Sequence, residues 1–560
     1  MSKNTKRHLI TSALPYINGV KHLGNLVGSL LPADVYARFL RQQKQEVLFI
    51  CATDDHGTPA ELGALAAGMD VAEYCKQQYE KQKAIYDSFQ LSFDYFGRTS
   101  SPDNHALTQD IYRELDANGY IEEREITQVY SIDDKRFLPD RYVTGTCPHC
   151  QYEAARGDQC ENCTSVLNPT DLINPRSTVS GSTNLEQRTT KHLFLKLSAL
   201  APEVRQWVES HSNWPKLTKT IALKWLDEGL QDRGITRDLS WGIPVPREGF
   251  ENKVFYVWFD APIAYIATTQ TWAQQTDEPD QWKNWWKQAD VEYTQFMAKD
   301  NVPFHTVFWP AVMLGTKENW HLADNIKSFN WLTYYGGKFS TSQRHGVFMD
   351  QALDILPADY WRYVLMANAP ENSDAAFTWE LLQVKINNEL AAKYGNFVNR
   401  TLKLTTANYS NNVPTGGEPG QAEEDLLKRV ATSIKAISYN YEKLEFRKAC
   451  EELRNLWDIG NAYFDEREPW KLVKTDPEAG ALVLRTCINL IRIYAIASAP
   501  IMPTISKNIL TALHTSEVPF DELAQLDALK AGHNFDEVPI QFTKIEDTDI
   551  ADYKKRFGGE

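Results

Sequence analysis

Two rhythms alternate along the first fifty residues. A short apolar run, His8–Ser12, leads through a polar loop into Asn25–Gln43, whose apolar positions recur at helical spacing, and then into the continuous apolar stretch EVLFICAT ending at Thr53. Strand, loop, helix, strand is one βαβ unit, which requires a parallel sheet with a right-handed crossover. Pro32 lies inside the helical stretch and predicts a kink or a fresh turn there. Helical spacing continues over Ala60–Phe89 and Asn104–Asn118. From Gly119 to Leu167 the pattern breaks into short strand-like pieces with a turn at Pro139–Arg141, and helical spacing resumes over Lys191–Trp225, where Trp207, Trp214 and Trp225 are expected to pack. Sheet-like runs return at Arg237–Gly242 and Val254–Pro262, and a third polar strand end is expected at Phe304–Pro310. From Glu380 to Ala499, long amphipathic stretches with loops at Tyr409–Gly420 and Glu466–Glu478 predict a helical bundle. The polar remainder is expected to finish loosely at Phe557 and the three residues after it.

A chain of 560 residues exceeds what one core usually holds, so several domains are expected. With 24% charged and 42% apolar residues it reads as soluble and globular. MSKNTKRHLI has basic residues but no apolar core, so no secretory signal is expected. The most apolar stretch, Ala481–Ala499, carries Arg485 and Arg492 and meets Pro500, which favours a buried helix over a membrane span. No membrane association is therefore expected. A net charge of −15 argues against indiscriminate coating of nucleic acid but leaves open a shaped RNA held by local basic patches. Of eight cysteines, Cys51, Cys75, Cys450 and Cys487 are scattered and four are clustered, which is metal-site usage in a reducing compartment.

That cluster, Cys147-Pro-His-Cys150 and Cys160-Glu-Asn-Cys163 separated by nine residues, is two CxxC knuckles able to enclose one tetrahedral zinc ion. Four thiolates leave no position for water, so such a site stabilises the fold and is not catalytic. His22-Leu23-Gly24-Asn25 stands where the first strand turns into a helix. An imidazole there can donate to a phosphate, Gly24 lets a base approach the backbone, and the helix start presents free N–H groups. Alone, the same four residues are equally an ordinary turn with a surface histidine. The second strand ends in Asp54-Asp55-His56-Gly57, at the same edge of a parallel sheet, where Asp54 can reach the same ligand. The stretch Gly336–Gly346, with Lys338-Phe339-Ser340-Thr341-Ser342 inside it, has the glycines, hydroxyls and cations of a mobile lid over a polyphosphate.

Together these stretches resemble class I aminoacyl-tRNA synthetases, and among them the methionyl-tRNA synthetases. HLGN matches the first class motif in its HxGN form, and KFSTS stands in the position of the second. ALPYINGVKHLGN, TDDHGT, TRDLSWGIPVP, YVWFDAPIAY, KDNVPFH and YGNFVNR are similar to methionyl enzymes as a group, and in detail to the eukaryotic cytosolic type that some bacteria also carry. The resemblance covers nearly the whole chain. It implies an α/β fold: a Rossmann-type parallel-sheet catalytic domain with an inserted zinc-knuckle connective domain, followed by an all-α helical bundle. The expected divisions are 1–117 and 236–325 for the two catalytic halves, 118–235 for the connective insertion, 326–385 for a stem-contact region with the KFSTS loop, 386–545 for an anticodon-binding bundle and 546–560 for the tail.

The resemblance implies activation of L-methionine by ATP with Mg2+, release of pyrophosphate, and transfer of the methionyl group to the 3′ end of initiator and elongator methionine tRNAs. It places ATP on His22, Gly24, Asn25, Lys338, Ser340 and Thr341, with His22, Lys338 and Arg344 expected to supply positive charge or donors. The methionine pocket maps onto Ala13, Leu14, Tyr16, Asp54, Trp258, Ala261, Pro262, Tyr265, Asn301 and His305, with Asp54 facing the substrate ammonium. Anticodon reading maps onto Asn396, Arg400 and Trp470. One structural Zn2+ per chain, a cytoplasmic location and a monomer are expected. This chain departs from the family at Thr341, where a second lysine is usual, and at Gln343-Arg344-His345; Arg344 is expected to compensate. The alternatives are an adenylate-forming paralogue with a non-tRNA acceptor and an inactive tRNA-binding paralogue.

Overall fold

The computed structural model describes residues 6–158, 160–163, 165–340 and 345–559. Five parallel strands form the central sheet in the order Asn325–Phe329, Val291–Ala298, Arg7–Ser12, Glu46–Thr53, Tyr95–Arg98. The first strand of the chain is thus the central one. The chain leaves it towards Glu46–Thr53 on one side and returns after the insertion as Val291–Ala298 on the other. Its C-terminal end is the point where the strand order reverses, and a crevice opens at such a point in a parallel sheet.

The expected βαβ unit is present, and Pro32 acts as anticipated. The helix starts at Leu23, passes through a π-helical turn at Leu26–Leu30 and continues as Leu31–Gln42 with Pro32 in its first turn. A proline there has no N–H to bond back to the preceding turn, and the wider turn absorbs the mismatch.

Several expected elements differ. Leu185–Leu195 is a strand paired along its length with Ile121–Ser131, so helix begins only at Leu197–Ser210 and continues with Lys216–Asp227. Thr236–Arg237 and Val254–Phe255 make a two-stranded antiparallel pair outside the central sheet, and Val257–Asp260 is a helical turn. Phe304–Phe308 is a π-helical turn feeding Trp309–Gly315; the strand end expected there lies earlier, at Ala298. Apolar runs of four to six residues do not distinguish a buried strand from a buried helical turn. The edge strand Asn325–Phe329 begins where the second catalytic half was expected to end. Within Glu466–Glu478, expected as loop, Pro469–Thr475 is helical.

One face of the sheet shares its core with the bundle, where Ile10, Phe49 and Phe296 join a cluster containing Tyr441, Trp457 and Tyr494. The other face packs on the insertion's helices through Leu9, Ile50, Leu200, Val204 and Leu226. Arg362, fully buried, ties the layers. It pairs with Asp34 at 2.6 Å and donates to the carbonyls of Phe89, Pro500 and Ile501. Burial pushes the Asp34 carboxyl up, but Arg38 and Arg362 outweigh it and hold the group down at about 2. The apolar helix Pro477–Ser498 has the length and composition of a membrane span, and 89% of its most apolar window is buried in this core. The tail is not loose. Asp547–Phe557 is a helix whose Tyr553 and Phe557 rings pack on Trp379, and the Tyr334 hydroxyl donates to the Gly558 carbonyl.

Candidate functional site

A cleft of about 1380 Å3 opens at the C-terminal end of the central strand. Its floor is the loop Ala13–Tyr16, one wall is HLGN, and the hairpin Leu332–Tyr334/Gly337–Lys338 faces it. The two motifs touch directly. The His22 ring stacks on Phe339 at 5.0 Å, and Leu23 N–H donates to the Val347 carbonyl at 3.0 Å. Gly346, at φ +108°, has no side chain in the space that Phe339 fills.

His22 caps its own helix: Nδ1 accepts from Asn25 N–H, and the Asn25 side-chain carbonyl accepts from His22 N–H, each at 3.2 Å. With Nδ1 accepting, the ring proton sits on Nε2. Burial, helped by Lys21, lowers the imidazole pKa to about 3. Of the two contributions expected of His22, positive charge or a donor, this environment favours the second, a neutral imidazole with Nε2–H. A Cβ on Gly24 would lie 3.0 Å from His22 Nδ1, so a side chain there would disturb this cap. Lys338 is exposed, with its ammonium 4.6 Å over the Trp331 ring. Lys299 lies over the same ring at 4.1 Å and is held by Asp374 at 2.8 Å. Nothing in the sequence signalled Trp331, because it meets Lys299 only through the fold. Ser340 lines the cleft; Thr341 and Arg344 lie outside the described residues.

Five of the expected methionine residues, Ala13, Leu14, Tyr16, Trp258 and Asn301, line the cleft. Asp54, Pro262, Tyr265 and His305 are buried behind it, with Ala261 half-buried beside them. The Trp258 ring stands edge-on to Phe304 at 4.0 Å. Tyr265 donates to the Ser12 carbonyl and meets His305 Nε2 at 3.0 Å, and His305 Nδ1 lies 2.9 Å from the Asn301 carbonyl. Desolvation lowers the His305 pKa to about 4.

Asp54 is 6% exposed, and its Oδ1 meets no hydrogen-bond partner among the described residues. Burial raises its pKa well above the carboxylate range, and Asp260 and Asp55 add to this. Lys21, the cation acting on it, is hydrogen-bonded instead to Asn18 at 3.2 Å, and burial lowers its pKa to about 7. Asp54 is thus a buried carboxyl with no direct ion-pair partner among the described residues, and its ionised form is disfavoured.

Far from the cleft, Asn396 opens the helix Asn396–Tyr409 with Arg400 one turn later. Arg400 is steadied by Asp465 at 2.8 Å and lies 5.6 Å over the Trp470 ring; Trp470 is 37% exposed. The structure brings Arg400 and Trp470 together, with the exposed Asn396 one helical turn before Arg400. In the insertion, the four thiol sulfurs of Cys147, Cys150, Cys160 and Cys163 lie within 4.8 Å of one another. The pairs Cys147–Cys163 and Cys150–Cys160 are 3.8 and 3.6 Å apart. Zn–S bonds of about 2.3 Å in a tetrahedron require sulfurs about 3.8 Å apart, a spacing the two closest pairs already have and the full set of four approaches.

The family model for tRNA synthetases class I (M) matches residues 8–402, and that for the anticodon binding domain of methionyl tRNA ligase matches residues 413–560. Methionine–tRNA ligase 1 of Acaryochloris marina is 59% identical over 559 residues, 99% of this chain and 100% of that one. Methionine–tRNA ligase of Streptomyces avermitilis is 57% identical over 569 residues, with 99% of each chain covered. These relatives are bacterial, so the likeness to the eukaryotic cytosolic type stays at the level of the motifs. Mycobacterium tuberculosis methionyl-tRNA synthetase, solved in complex with methionyl-adenylate, has the same fold with a TM-score of 0.78 at 23% identity, over 95% of this chain and 100% of that one. The chain therefore belongs to the class I methionyl-tRNA synthetases and is a methionine–tRNA ligase.

Proposed function

We propose that the cleft carries both half-reactions of the ligase, with Asp54 holding the methionine ammonium and HLGN with Lys338 holding ATP. The observation that carries this reading is Asp54, a buried carboxylate with one oxygen unpartnered, beside the floor loop that leads to His22. An ammonium is the ligand that removes both of its penalties, repulsion and an unmade hydrogen bond. Trp258, Tyr265, His305 and the apolar Ala13 and Pro262 surround the thioether, where burial and sulfur–ring contacts supply the affinity. An apolar pocket discriminates by only about 1–3 kcal/mol per methylene, so close methionine analogues are accepted.

ATP arrives as its Mg2+ complex. Attack of the methionine carboxylate on the α-phosphate needs alignment and charge stabilisation more than covalent help. His22 donates from Nε2–H, Asn25 offers its amide protons, and Lys338 brings a full charge to the departing pyrophosphate. Arg400 and Trp470, with Asn396, present a guanidinium, an aromatic plane and an amide to unstacked anticodon bases. Cys147, Cys150, Cys160 and Cys163 hold one Zn2+, which staples the knuckle and takes no part in the chemistry. We read the enzyme as a cytoplasmic monomer without membrane attachment; elution at twice the chain mass would contradict the monomer.

Methionine-dependent ATP–pyrophosphate exchange, followed by charging of initiator and elongator methionine tRNAs, tests the assignment. Both are expected. Exchange without charging would mean another acyl acceptor, and neither would mean a binding protein.

A further inference from the structure

The lining of the cleft continues beyond the motif residues, past Trp258, to residues of the knuckle and of the helix Lys216–Asp227. Lys224, Trp225, Asp232 and Arg233 line this end. Three arginines line the whole cleft, and two are neutralised: Arg141 by Asp158 at 2.7 Å and Arg237 by Asp140 at 3.0 Å. Arg233 differs. It sits on the short strand Arg233–Gly234, with its guanidinium 5.6 Å over Trp225 and 5.8 Å over Trp258. No carboxylate lies within ion-pair distance of it among the described residues. Its neighbour Asp232 is taken up by Arg124 and by Ser198, whose hydroxyl donates at 2.7 Å.

Resting on the ligase reading above, we propose that Arg233 and Trp225 receive the unpaired 3′ strand of the tRNA acceptor end, the guanidinium on a phosphate and the indole against a base. The chemistry of transfer leaves this direction open. The terminal ribose must reach the methionyl carbonyl while the adenylate still occupies HLGN and the KFSTS side, so the strand lies along the part of the cleft the adenylate does not fill. A positively charged groove with an aromatic plane is what a single strand binds without regard to sequence. Arg233 is pre-positioned by its two indoles, so little side-chain freedom is lost on contact. Lys224, exposed on the same helix as Trp225, is paired with Glu228 at 3.7 Å, which leaves Arg233 as the unpaired cation of this end among the described residues.

The test separates the two half-reactions. Enzyme preloaded with methionyl-adenylate is mixed with methionine tRNA in single-turnover quench flow, and binding is compared between intact tRNA and tRNA lacking its three 3′-terminal nucleotides. For Arg233→Ala and for Trp225→Ala, transfer is expected to slow about tenfold, in line with the loss of one phosphate contact or one stacked base. The advantage of intact over shortened tRNA should disappear, while ATP–pyrophosphate exchange and its methionine KM stay within about threefold of wild type. Arg233→Lys and Trp225→Phe should recover most of the transfer rate. Unchanged transfer in Arg233→Ala overturns the proposal. So does a methionine KM in exchange that rises in step with the loss of transfer, which would make Arg233 only a prop for Trp258. A wild-type enzyme that neither exchanges nor charges removes the ligase reading and this one with it, whereas normal charging by Arg233→Ala removes this one alone.

Discussion

Replacing Asp54 with asparagine keeps the shape and removes the charge, and its effects on activity and on stability should run in opposite directions. In the empty enzyme the carboxylate is buried near Asp260 and Asp55, accepts from His56 N–H, and has one oxygen without a partner. An asparagine carbonyl keeps the bond from His56 and ends the repulsion. Removing one partner of a buried, hydrogen-bonded ion pair costs about 3–5 kcal/mol, so kcat/KM for methionine in pyrophosphate exchange should fall by about 150- to 5000-fold. KM for ATP should move little. Stability should hold or rise, because the repulsion from Asp260 and Asp55 is gone while the unpartnered position stays unpartnered, now occupied by the amide nitrogen. The sign with pH follows from the raised pKa. A carboxyl whose folded pKa lies above its unfolded value contributes stability at low pH and loses it as pH rises through the folded pKa. The asparagine variant should therefore gain most over wild type at about pH 8 and nothing near pH 4, in melting curves recorded without methionine. Saturating methionine should raise the melting temperature of wild type and leave the variant unmoved. A fall in kcat/KM of less than about tenfold, or a lower melting temperature at high pH, would refute the assignment of Asp54 to the ammonium.

Three further outcomes can be measured. Cys150→Ser, or prolonged chelation, should reduce zinc from one ion per chain to substoichiometric amounts and lower the melting temperature of the insertion, without reversing the order of the two half-reactions; full zinc content in the variant would contradict the four-thiolate site. Trp470→Ala should lower kcat/KM for tRNA charging by about 5- to 150-fold, the worth of one stacked base, and leave methionine-dependent exchange unchanged. Thr341→Lys should keep or raise the pre-steady-state rate of adenylate formation and Arg344→Ala should lower it; a rate indifferent to Arg344→Ala would end the idea that Arg344 replaces the missing lysine.

Some of the site could be read without coordinates because it lies on local pattern. The strand-to-helix turn at His22–Asn25, the polar end of the second strand at Asp54, and the two CxxC knuckles each occupy a few consecutive residues, and local backbone chemistry is enough to mark them as candidates. What local pattern misjudged was the type of short apolar segment. Val257–Asp260 and Phe304–Phe308 look like strands because most of their side chains are apolar or aromatic, yet both are largely buried helical turns. The tail was misjudged for the related reason that Phe557 is stabilised by Trp379, nearly two hundred residues earlier.

The order of strands, and hence the position of the cleft at the end of the central one, arises from pairings such as Arg7 with both Glu46 and Val291, which no local pattern encodes. Charge states are decided in the same way. The sequence identified His22 and Asp54 as candidates by type and place; the tertiary structure favours a neutral imidazole at the first and disfavours the ionised carboxylate at the second, because burial and neighbouring charges set a pKa and neither exists before the chain has folded. It also left Arg233 between two indoles that are more than thirty residues apart in the chain. Sequence alone determined which chemistries this protein carries, since those reside in residue types at short spacing. Only packing decided which of them face the cleft, and in what state of charge.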